Sequence, residues 1–403
     1  MKKKIFGIII DSERLKIYSK NLKFYLKSYR EIIPDEIETY LIDISHLHII
    51  KKDLIDIDTT EINFKLFRPK SFQELDSFSK ENEIVATIKI KETFLNLRLN
   101  FLINLVCKKK IIINNMGFYV MSNKISQFKI YEKLNFILNI KLNYFIYRIL
   151  SIFNLVKKTD ILITSSGSNL DKFEQGISAK LKKFIKIDLS YIKKSYKVNS
   201  YFDDISNKNE IANKYIVFCD SGFDHKDRIL RDGKINPLDR ENYYKNLYEF
   251  FIILKDKFNK DVIFCLHPKA EYPQSNNFNK IKKSFKCIKF ETEEYIKKSY
   301  LCLFISSLSI NIAILLKKNI IIINSKFLGN FYNLRNDVLS EEIKLFKVNI
   351  DEDAYKSLSI NQFKSEFKNY LNNYNEFIKK NIISDRNVSY IEQIKKILKK
   401  ECF

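Results

Sequence analysis

Short apolar runs alternate with longer amphipathic stretches along most of the chain. In the first half, the runs with the length and β-branched content of buried strands are Lys4–Ile10, Thr39–Ile44, Ile84–Ile88, Lys110–Ile113 and Asp160–Thr164. Segments of helix length separate them. This alternation is typical of a parallel sheet whose strands are joined by crossover helices.

The second half repeats the alternation with greater regularity. Its predicted strands are Tyr215–Cys219, Val262–Leu266, Cys287–Phe290, Leu301–Ile305 and Ile320–Asn324. The helices predicted between them are Arg240–Phe258, Asn276–Ser284, Thr292–Ser299 and Ser309–Leu316. Beyond them, Gln362–Lys400 has the amphipathic pattern of one or two further helices.

Two α/β alternations predict two domains. A length of 403 residues suits two cores of about 200 residues each. The stretch between the alternations is polar and has no clear period, which is typical of a linker. We therefore predict an α/β protein of two Rossmann-like domains with C-terminal helices, divided into a first domain at 1–185, a linker at 186–214, a second domain at 215–345 and a helical segment at 346–403.

Composition excludes several classes of protein. A hydrophobic content of 45% is too high for a disordered chain. The six cysteines form no CxxC pair, and four lie in apolar runs, which indicates reduced core thiols and no zinc site. The basic start followed by Ile5–Ile10 resembles a signal peptide, but the apolar run is short and Asp11 interrupts it. We expect a first strand and a cytoplasmic protein.

The charge predicts an anionic partner. A formal net charge of +23 would attract nucleic acid, an anionic membrane or phosphorylated substrates. The lysines are dispersed and no nucleic-acid-binding motif is present, so we do not expect a nucleic-acid partner. Leu134–Val156 is apolar and basic but is interrupted by Lys141 and Arg148, which makes it a poor transmembrane helix. It is either a buried crossover helix or a surface that rests on the inner face of the cytoplasmic membrane.

Polar clusters follow three strands of the second half. They are Asp220-Ser221-Gly222, His267-Pro268-Lys269 and Ser306-Ser307-Leu308-Ser309. In parallel α/β sheets, ligands bind beyond the carboxyl ends of the strands. The clusters come from separate stretches of sequence, and one sheet edge would bring them together.

Each cluster suits the phosphate of a nucleotide donor. Ser306, Ser307 and Ser309 lie where a strand turns into a helix, so N–H groups and hydroxyls would face one anion. Plain N-capping of the helix is the alternative. His267 would hydrogen-bond a phosphate oxygen or protonate it as the donor leaves, and Lys269 would add compensating charge.

Other strand ends supply weaker candidates. Asp220 would orient the acceptor or the donor ribose, or make a turn, and Gly222 permits a close approach. Asp11 follows the first strand and is a second candidate catalytic carboxylate. Three candidates for the acceptor side, with a plain turn as the alternative, follow a strand of the first half: Ser165, Ser166 and Gly167.

The second half resembles the donor-binding domain of GT-B glycosyltransferases. More narrowly, it is similar to bacterial sialyltransferases, polysialyltransferases and related capsule or lipooligosaccharide transferases. The resemblance covers roughly Tyr215–Ser325, about a quarter of the chain, and its matching segments are Tyr215–Asp220, Tyr243-Tyr244, Val262–Lys269 and Phe304–Ser309. The family's His-Pro motif maps onto His267-Pro268, and its paired-serine motif maps onto Ser306-Ser307. The resemblance implies that these residues bind the phosphate of CMP and that the histidine assists the leaving group.

The resemblance also implies a fold and a reaction. The two domains would face each other across a cleft, and a CMP-activated, sialic-acid-like nonulosonate would pass to a surface polysaccharide or lipooligosaccharide acceptor by inverting, metal-independent transfer. No cofactor beyond the nucleotide-sugar donor is implied.

One departure from the family and several alternatives stay open. The acidic Asp/Glu-Asp/Glu-Gly motif of the family's first domain is missing, so the base stays unassigned between Asp11 and Asp220. A transferase that uses a UDP, GDP or CDP donor and a sugar-nucleotide epimerase would share the architecture. A noncatalytic nucleic-acid-binding protein would use the basic charge alone.

Overall fold

The computed structural model divides the chain into two compact units. The residues that it describes are 2–10, 26, 28–44, 47, 63–87, 103–104, 106–114, 146, 149–150, 153, 155–165, 192–199, 213–223, 236–267, 270, 272, 275–371, 373–382 and 388–403. The first unit contains the described residues up to 114, from 146 to 199 and from 388 to 403. The second unit contains those from 213 to 382.

The first unit contains a parallel sheet. Its strands are β1 (Lys3–Ile10), β2 (Thr39–Asp43), β3 (Lys65–Phe67), β4 (Asn82–Thr87), β5 (Cys107–Asn114), β6 (Thr159–Ser165) and β7 (Ile192–Val198), and the helix α1 (Phe72–Glu81) precedes β4. Their order across the sheet is β3-β2-β1-β4-β5-β6-β7. Strands β2 and β3 therefore lie on one side of β1 and the later strands on the other, so the topological switch of this sheet lies between β1 and β4.

Strand β1 is buried on both faces of this sheet. Ile5 and Ile9 contribute to one apolar cluster, and Phe6, Ile8 and Ile10 contribute to the other. A strand buried on both faces has a continuous apolar sequence instead of an alternating one. At Gly7 a Cβ atom would lie 2.9 Å from Cδ1 of Ile42, so the neighbouring side chain fills the space that any larger residue would need.

The second unit contains another parallel sheet. Its strands are β8 (Tyr215–Cys219), β9 (Asp261–Leu266), β10 (Lys286–Lys289), β11 (Ser299–Phe304), β12 (Asn319–Asn324) and β13 (Phe346–Asn349). Their order across the sheet is β10-β9-β8-β11-β12-β13. The chain builds outward from β8 to β10 and then returns to the other side of β8, so the topological switch lies between β8 and β11.

Helices connect and cover these strands. They are α2 (Pro237–Phe258), α3 (Asn276–Ser284), α4 (Thr292–Lys297), α5 (Ile310–Leu315), α6 (Asn330–Ile343), α7 (Ala354–Ser357), α8 (Ile360–Leu371) and α9 (Tyr374–Asn381), with a 3₁₀ turn at Lys326–Leu328. Helix α2 begins three residues before the predicted start. The side chain of Asn236 accepts a hydrogen bond from the Leu238 N–H, and Pro237 is well suited to the first helical position.

The last helix returns to the first unit. In α10 (Tyr390–Cys402), four side chains at helical spacing join the apolar cluster that contains Phe6 and Ile8, namely Tyr390, Ile394, Leu398 and Cys402. Glu401 accepts hydrogen bonds from the Lys194 ammonium and the Tyr196 hydroxyl of β7. The chain's final turn is thus fixed to the edge of the first sheet.

The predicted fold class of two parallel α/β domains with C-terminal helices is confirmed. The ten predicted strands are all present. The structure departs from the predicted boundaries in three places: β7 lies inside the predicted linker at 186–214, β13 lies inside the predicted helical segment at 346–403, and α10 packs in the first unit.

Candidate functional site

The three polar clusters of the second half follow adjacent parallel strands. Cys219, the last residue of β8, pairs with Cys265 of β9 on one side and with Phe304 of β11 on the other. The segments that begin at Asp220, at His267 and at Ile305 therefore leave the sheet at the same carboxyl edge. Two of the predicted residues, Pro268 and Lys269, lie outside the described residues.

A tyrosine that the sequence analysis missed joins two of these clusters. The Tyr272 hydroxyl donates a hydrogen bond to the Asp220 carboxylate and accepts one from the backbone N–H of His267, with 2.7 Å between the His267 nitrogen and the phenolic oxygen. Asp220 is only 7% exposed. The strand ends of β8 and β9 are thus linked through one side chain.

Aromatic contacts position this tyrosine. Its ring stacks on Phe278 with 4.8 Å between centroids, and Phe278 is fully buried in α3. The start of α3 is itself fixed, because the Ser275 hydroxyl accepts a hydrogen bond from the Phe278 N–H at 3.1 Å. Burial, with the nearby Asp220 charge as the next cause, raises the pKa of Tyr272 far above its ordinary value. The hydroxyl therefore keeps its proton and is a donor toward Asp220.

The Asp220 cluster turns sharply after the strand. Gly222 has a φ of 77°, in the left-handed region that glycine adopts without a steric penalty. The turn places Phe223 in the core, where its ring stacks on Tyr243 of α2 at 4.3 Å. The Ser221 carbonyl accepts a hydrogen bond from the Tyr332 hydroxyl of α6 at 3.2 Å, while the buried Ser221 hydroxyl has no hydrogen-bond partner among the described residues.

The serine cluster after β11 has a strained start. Ser306 has a φ of 48° and is 8% exposed. A non-glycine residue in this region costs about 1 kcal/mol or more, and such residues concentrate at functional sites. The Ser307 hydroxyl accepts a 3.4 Å hydrogen bond from the Ser309 N–H.

Helix α5 is shorter than predicted. It has six residues, begins after Ser309, and receives no side-chain cap from that serine. Simple N-capping by Ser309 therefore does not explain the cluster. A helix of this length also contributes little dipole, so the hydroxyl and N–H groups of the turn are the groups available to a ligand.

Helix α6 contributes a second group that the sequence analysis missed. Arg335 lies one turn after Tyr332 and is only 9% exposed. Residues three apart occupy the same face of a helix. The helix that reaches the Ser221 carbonyl therefore also carries a buried cation on that face.

The first-half candidates are only partly described. Ser165 is the last residue of β6 and is fully buried, whereas Asp11, Ser166 and Gly167 lie outside the described residues. At the switch between β1 and β4, β4 ends at Thr87, whose buried hydroxyl has no hydrogen-bond partner in the described part of the chain. The acceptor-side roles of Ser165, Ser166 and Gly167 and the catalytic role of Asp11 stay predictions.

Further findings concern metals, thiols and membranes. In the described ranges, no group of three or more His, Cys, Asp or Glu side chains could hold a metal ion, and no helix is long and apolar enough to cross a membrane. All six cysteines are free thiols, and five of them are buried. In the predicted membrane-contact segment, Phe153 and Leu155 are exposed and Val156 is buried, and membrane contact stays a prediction.

Comparison with known proteins finds only distant similarity. No protein-family model and no curated protein matches the chain. Among solved structures, UGT89C1 of Arabidopsis thaliana complexed with UDP-L-rhamnose is 8% identical over 100% of both chains, with a TM-score of 0.49. The glycotransferase of kitacinnamycin is 8% identical over 100% of both chains, with a TM-score of 0.47. UDP-GlcNAc 2-epimerase from Methanocaldococcus jannaschii is 13% identical over 99% of both chains, with a TM-score of 0.45. Because each TM-score is below 0.5, these similarities do not assign a function.

Proposed function

We propose that this protein is a glycosyltransferase that binds its nucleotide-sugar donor at the carboxyl edge of the second sheet. The observation that carries the proposal is the convergence of three polar clusters on adjacent strand ends. They flank the topological switch between β8 and β11, which is where open α/β sheets bind their ligands. Tyr272 links two of the clusters directly.

The polar groups at this edge suit a phosphate. The Ser221 hydroxyl is buried and has no partner among the described residues, and Ser306 and Ser307 supply two more hydroxyls on the adjacent strand end. The buried guanidinium of Arg335 provides positive charge on the helix that contacts Ser221. Preorganised donors of this kind stabilise the charge that develops on a departing phosphate.

The roles of individual residues follow from their positions. His267 would donate a hydrogen bond or a proton to the phosphate oxygen as the bond to the sugar breaks. Asp220 would orient the donor, since it lies at the donor edge and is fixed by Tyr272. The acceptor hydroxyl would lose its proton to a base that stays unassigned, with Asp11 as the candidate in the first unit. In this mechanism no metal ion takes part.

We propose further that the donor is a CMP-linked nonulosonate. Support comes from the order and spacing of the His-Pro motif at His267 and the paired serines at Ser306, which resemble those of bacterial sialyltransferases. The acceptor oxygen would attack the anomeric carbon, the bond from that carbon to the CMP phosphate would break, and the configuration would invert.

Calorimetric titration and thermal unfolding with CMP, CDP, UDP and GDP test two claims, that the protein binds a nucleotide donor and that this donor carries CMP. We expect CMP to bind selectively and to raise the melting temperature by mass action. His267→Ala should weaken binding, whereas the matched change His48→Ala in the first half of the chain should not. A second matched pair is Ser306→Ala against Ser325→Ala, because the Ser325 hydroxyl follows the neighbouring strand β12 and is already bonded to Asp351 at 2.9 Å.

The other outcomes separate the alternatives. Selective binding of UDP or GDP, weakened by His267→Ala, would keep the transferase and exclude the CMP donor. Conversion of a UDP sugar to its epimer with no acceptor present would replace the transferase with an epimerase. Failure of folded protein to bind any of the four nucleotides would overturn the proposal.

A further inference from the structure

Tyr272, in the connection between β9 and α3, makes hydrogen bonds in addition to its packing contacts. Tyr272 could fill its place between Phe264 and Phe278 as a plain aromatic ring, with centroid distances of 6.5 Å and 4.8 Å. Its hydroxyl instead makes two hydrogen bonds at the carboxyl edge, one to Asp220 and one from the His267 backbone. Asp220 and His267 are two of the residues to which the proposed function assigns roles.

We propose that Tyr272 is a positioning residue that holds Asp220 and His267 in one arrangement for the donor nucleotide. This inference rests on the proposed function. It adds that the ends of β8 and β9 act together, because the Tyr272 hydroxyl orients the Asp220 carboxylate after β8 and the His267 backbone after β9. Tyr272 itself would make no contact with the reacting atoms.

The geometry explains why a tyrosine is needed at this position. The hydroxyl must donate to a carboxylate and accept from an N–H at the same time, and a protonated phenol does both. Phenylalanine would keep the stacking on Phe278 but would leave the Asp220 carboxylate, which is 7% exposed, without this donor. Without this donor the carboxylate would no longer be held in one arrangement, and a site that is less preorganised should bind the nucleotide about tenfold more weakly.

A second tyrosine of the same unit offers a matched control. The Tyr370 hydroxyl also makes two hydrogen bonds from a fully buried position, accepting from the Ile320 N–H at 2.6 Å and donating to the Ile320 carbonyl at 2.9 Å. Ile320 lies near the amino end of β12, whereas the proposed site lies at the carboxyl ends of the strands. Tyr272→Phe and Tyr370→Phe therefore remove equivalent hydroxyls, but only the first touches the proposed site.

The experiment combines CMP titration with selective labelling of histidine by ¹⁵N. The chain has only four histidines, so the His267 amide signal can be assigned by its loss in His267→Gln. In Tyr272→Phe we expect the His267 signal to move upfield, because the N–H loses its acceptor, and CMP to bind about tenfold or more weakly. In Tyr370→Phe the His267 signal should stay in place, and CMP affinity should stay within about twofold.

A double-mutant cycle with Asp220→Ala tests whether Tyr272 acts through the carboxylate. We expect Tyr272→Phe to weaken CMP binding less in the Asp220→Ala background than in the wild-type protein, because only its action through His267 then remains. CMP affinity in Tyr272→Phe equal to that in Tyr370→Phe would overturn the positioning role, and so would full additivity in the cycle.

If the wild-type protein binds no CMP but does bind UDP or GDP, the same variants are compared with that nucleotide. If it binds none of them, the proposed function fails and the role of Tyr272 fails with it, even if the His267 signal still reports the contact.

Discussion

Ser306 shows how much a single residue of the site can reveal. Its position after β11 was predictable, because it follows an apolar run, but its positive φ was not, since nothing in a Ser-Ser-Leu-Ser sequence requires a left-handed residue. Glycine would adopt this conformation without the steric cost. A hydroxyl-bearing residue at a strained position favours a role in binding.

Replacing Ser306 with glycine should separate stability from binding. The Ser306→Gly variant relieves the backbone strain, so we expect a free energy of unfolding within about 1 kcal/mol of the wild-type value. Nucleotide affinity should nevertheless fall about tenfold, because the hydrogen bond that we propose between this hydroxyl and the donor phosphate is lost. Lys317→Gly is the control, since Lys317 also has a positive φ, of 51°, but precedes β12. Equal affinity in the two variants would show that the Ser306 hydroxyl does not bind the ligand.

A buried lysine of the first unit should make stability depend on pH. Burial lowers the pKa of Lys110 to about 7, whereas in the unfolded chain it titrates near its ordinary value of about 10.4. Between these values the unfolded chain binds more protons, so the free energy of unfolding should rise with pH. The destabilisation by the buried charge is complete below pH 7 and disappears above about pH 10.4.

Denaturant unfolding between pH 7 and pH 10 measures this effect. Lys110→Met should remove a large part of the rise and stabilise the protein at pH 7. Lys108→Met, on the same strand but with a mostly exposed side chain that pairs with Glu83, should keep the wild-type slope. A Lys110→Met variant with the wild-type slope would mean that the amine does not titrate in this range.

Among the strands, the sequence pattern missed three, although it identified the edge strand β10. The three strands absent from the prediction, β3, β7 and β13, all lie at sheet edges. Their side chains are largely exposed or half-buried, and β7 alone carries three lysines in seven residues. Edge strands are often short and rich in lysine, so they lack the apolar run by which the interior strands were recognised.

Helix α10 shows a different limit. Its amphipathic pattern was predictable from spacing, and the four buried positions follow that spacing. The identity of the core that it joins was not predictable, because an apolar stripe does not specify its partner. Only the structure shows that the stripe packs against the cluster of Phe6 and Ile8.

Truncating Leu398 should destabilise the first unit. Leu398 is fully buried in α10, and Leu→Ala changes at such positions cost about 2–5 kcal/mol. Lys396→Ala, on the exposed face of the same helix, should cost less than about 0.5 kcal/mol. Thermal unfolding of both variants makes the comparison, and a Leu398→Ala variant as stable as Lys396→Ala would mean that α10 is not part of the core.

At the scale of the whole molecule, the two α/β units follow from the two alternations in the sequence. The convergence of Asp220, His267 and Ser306 on one edge also follows, because carboxyl ends of adjacent parallel strands must lie together. The link through Tyr272 could not be predicted, since no periodicity marks a contact between a loop tyrosine and an aspartate 52 residues away.

Hydrogen exchange with and without bound nucleotide tests the central claim most directly. If the donor binds at the carboxyl edge of the second sheet, the nucleotide should slow exchange in three separate segments at once, at 219–223, 264–272 and 304–311. The amino ends of the same strands should be unaffected. Protection confined to the first unit, or to one of the three segments alone, would contradict a donor site built from the three strand ends.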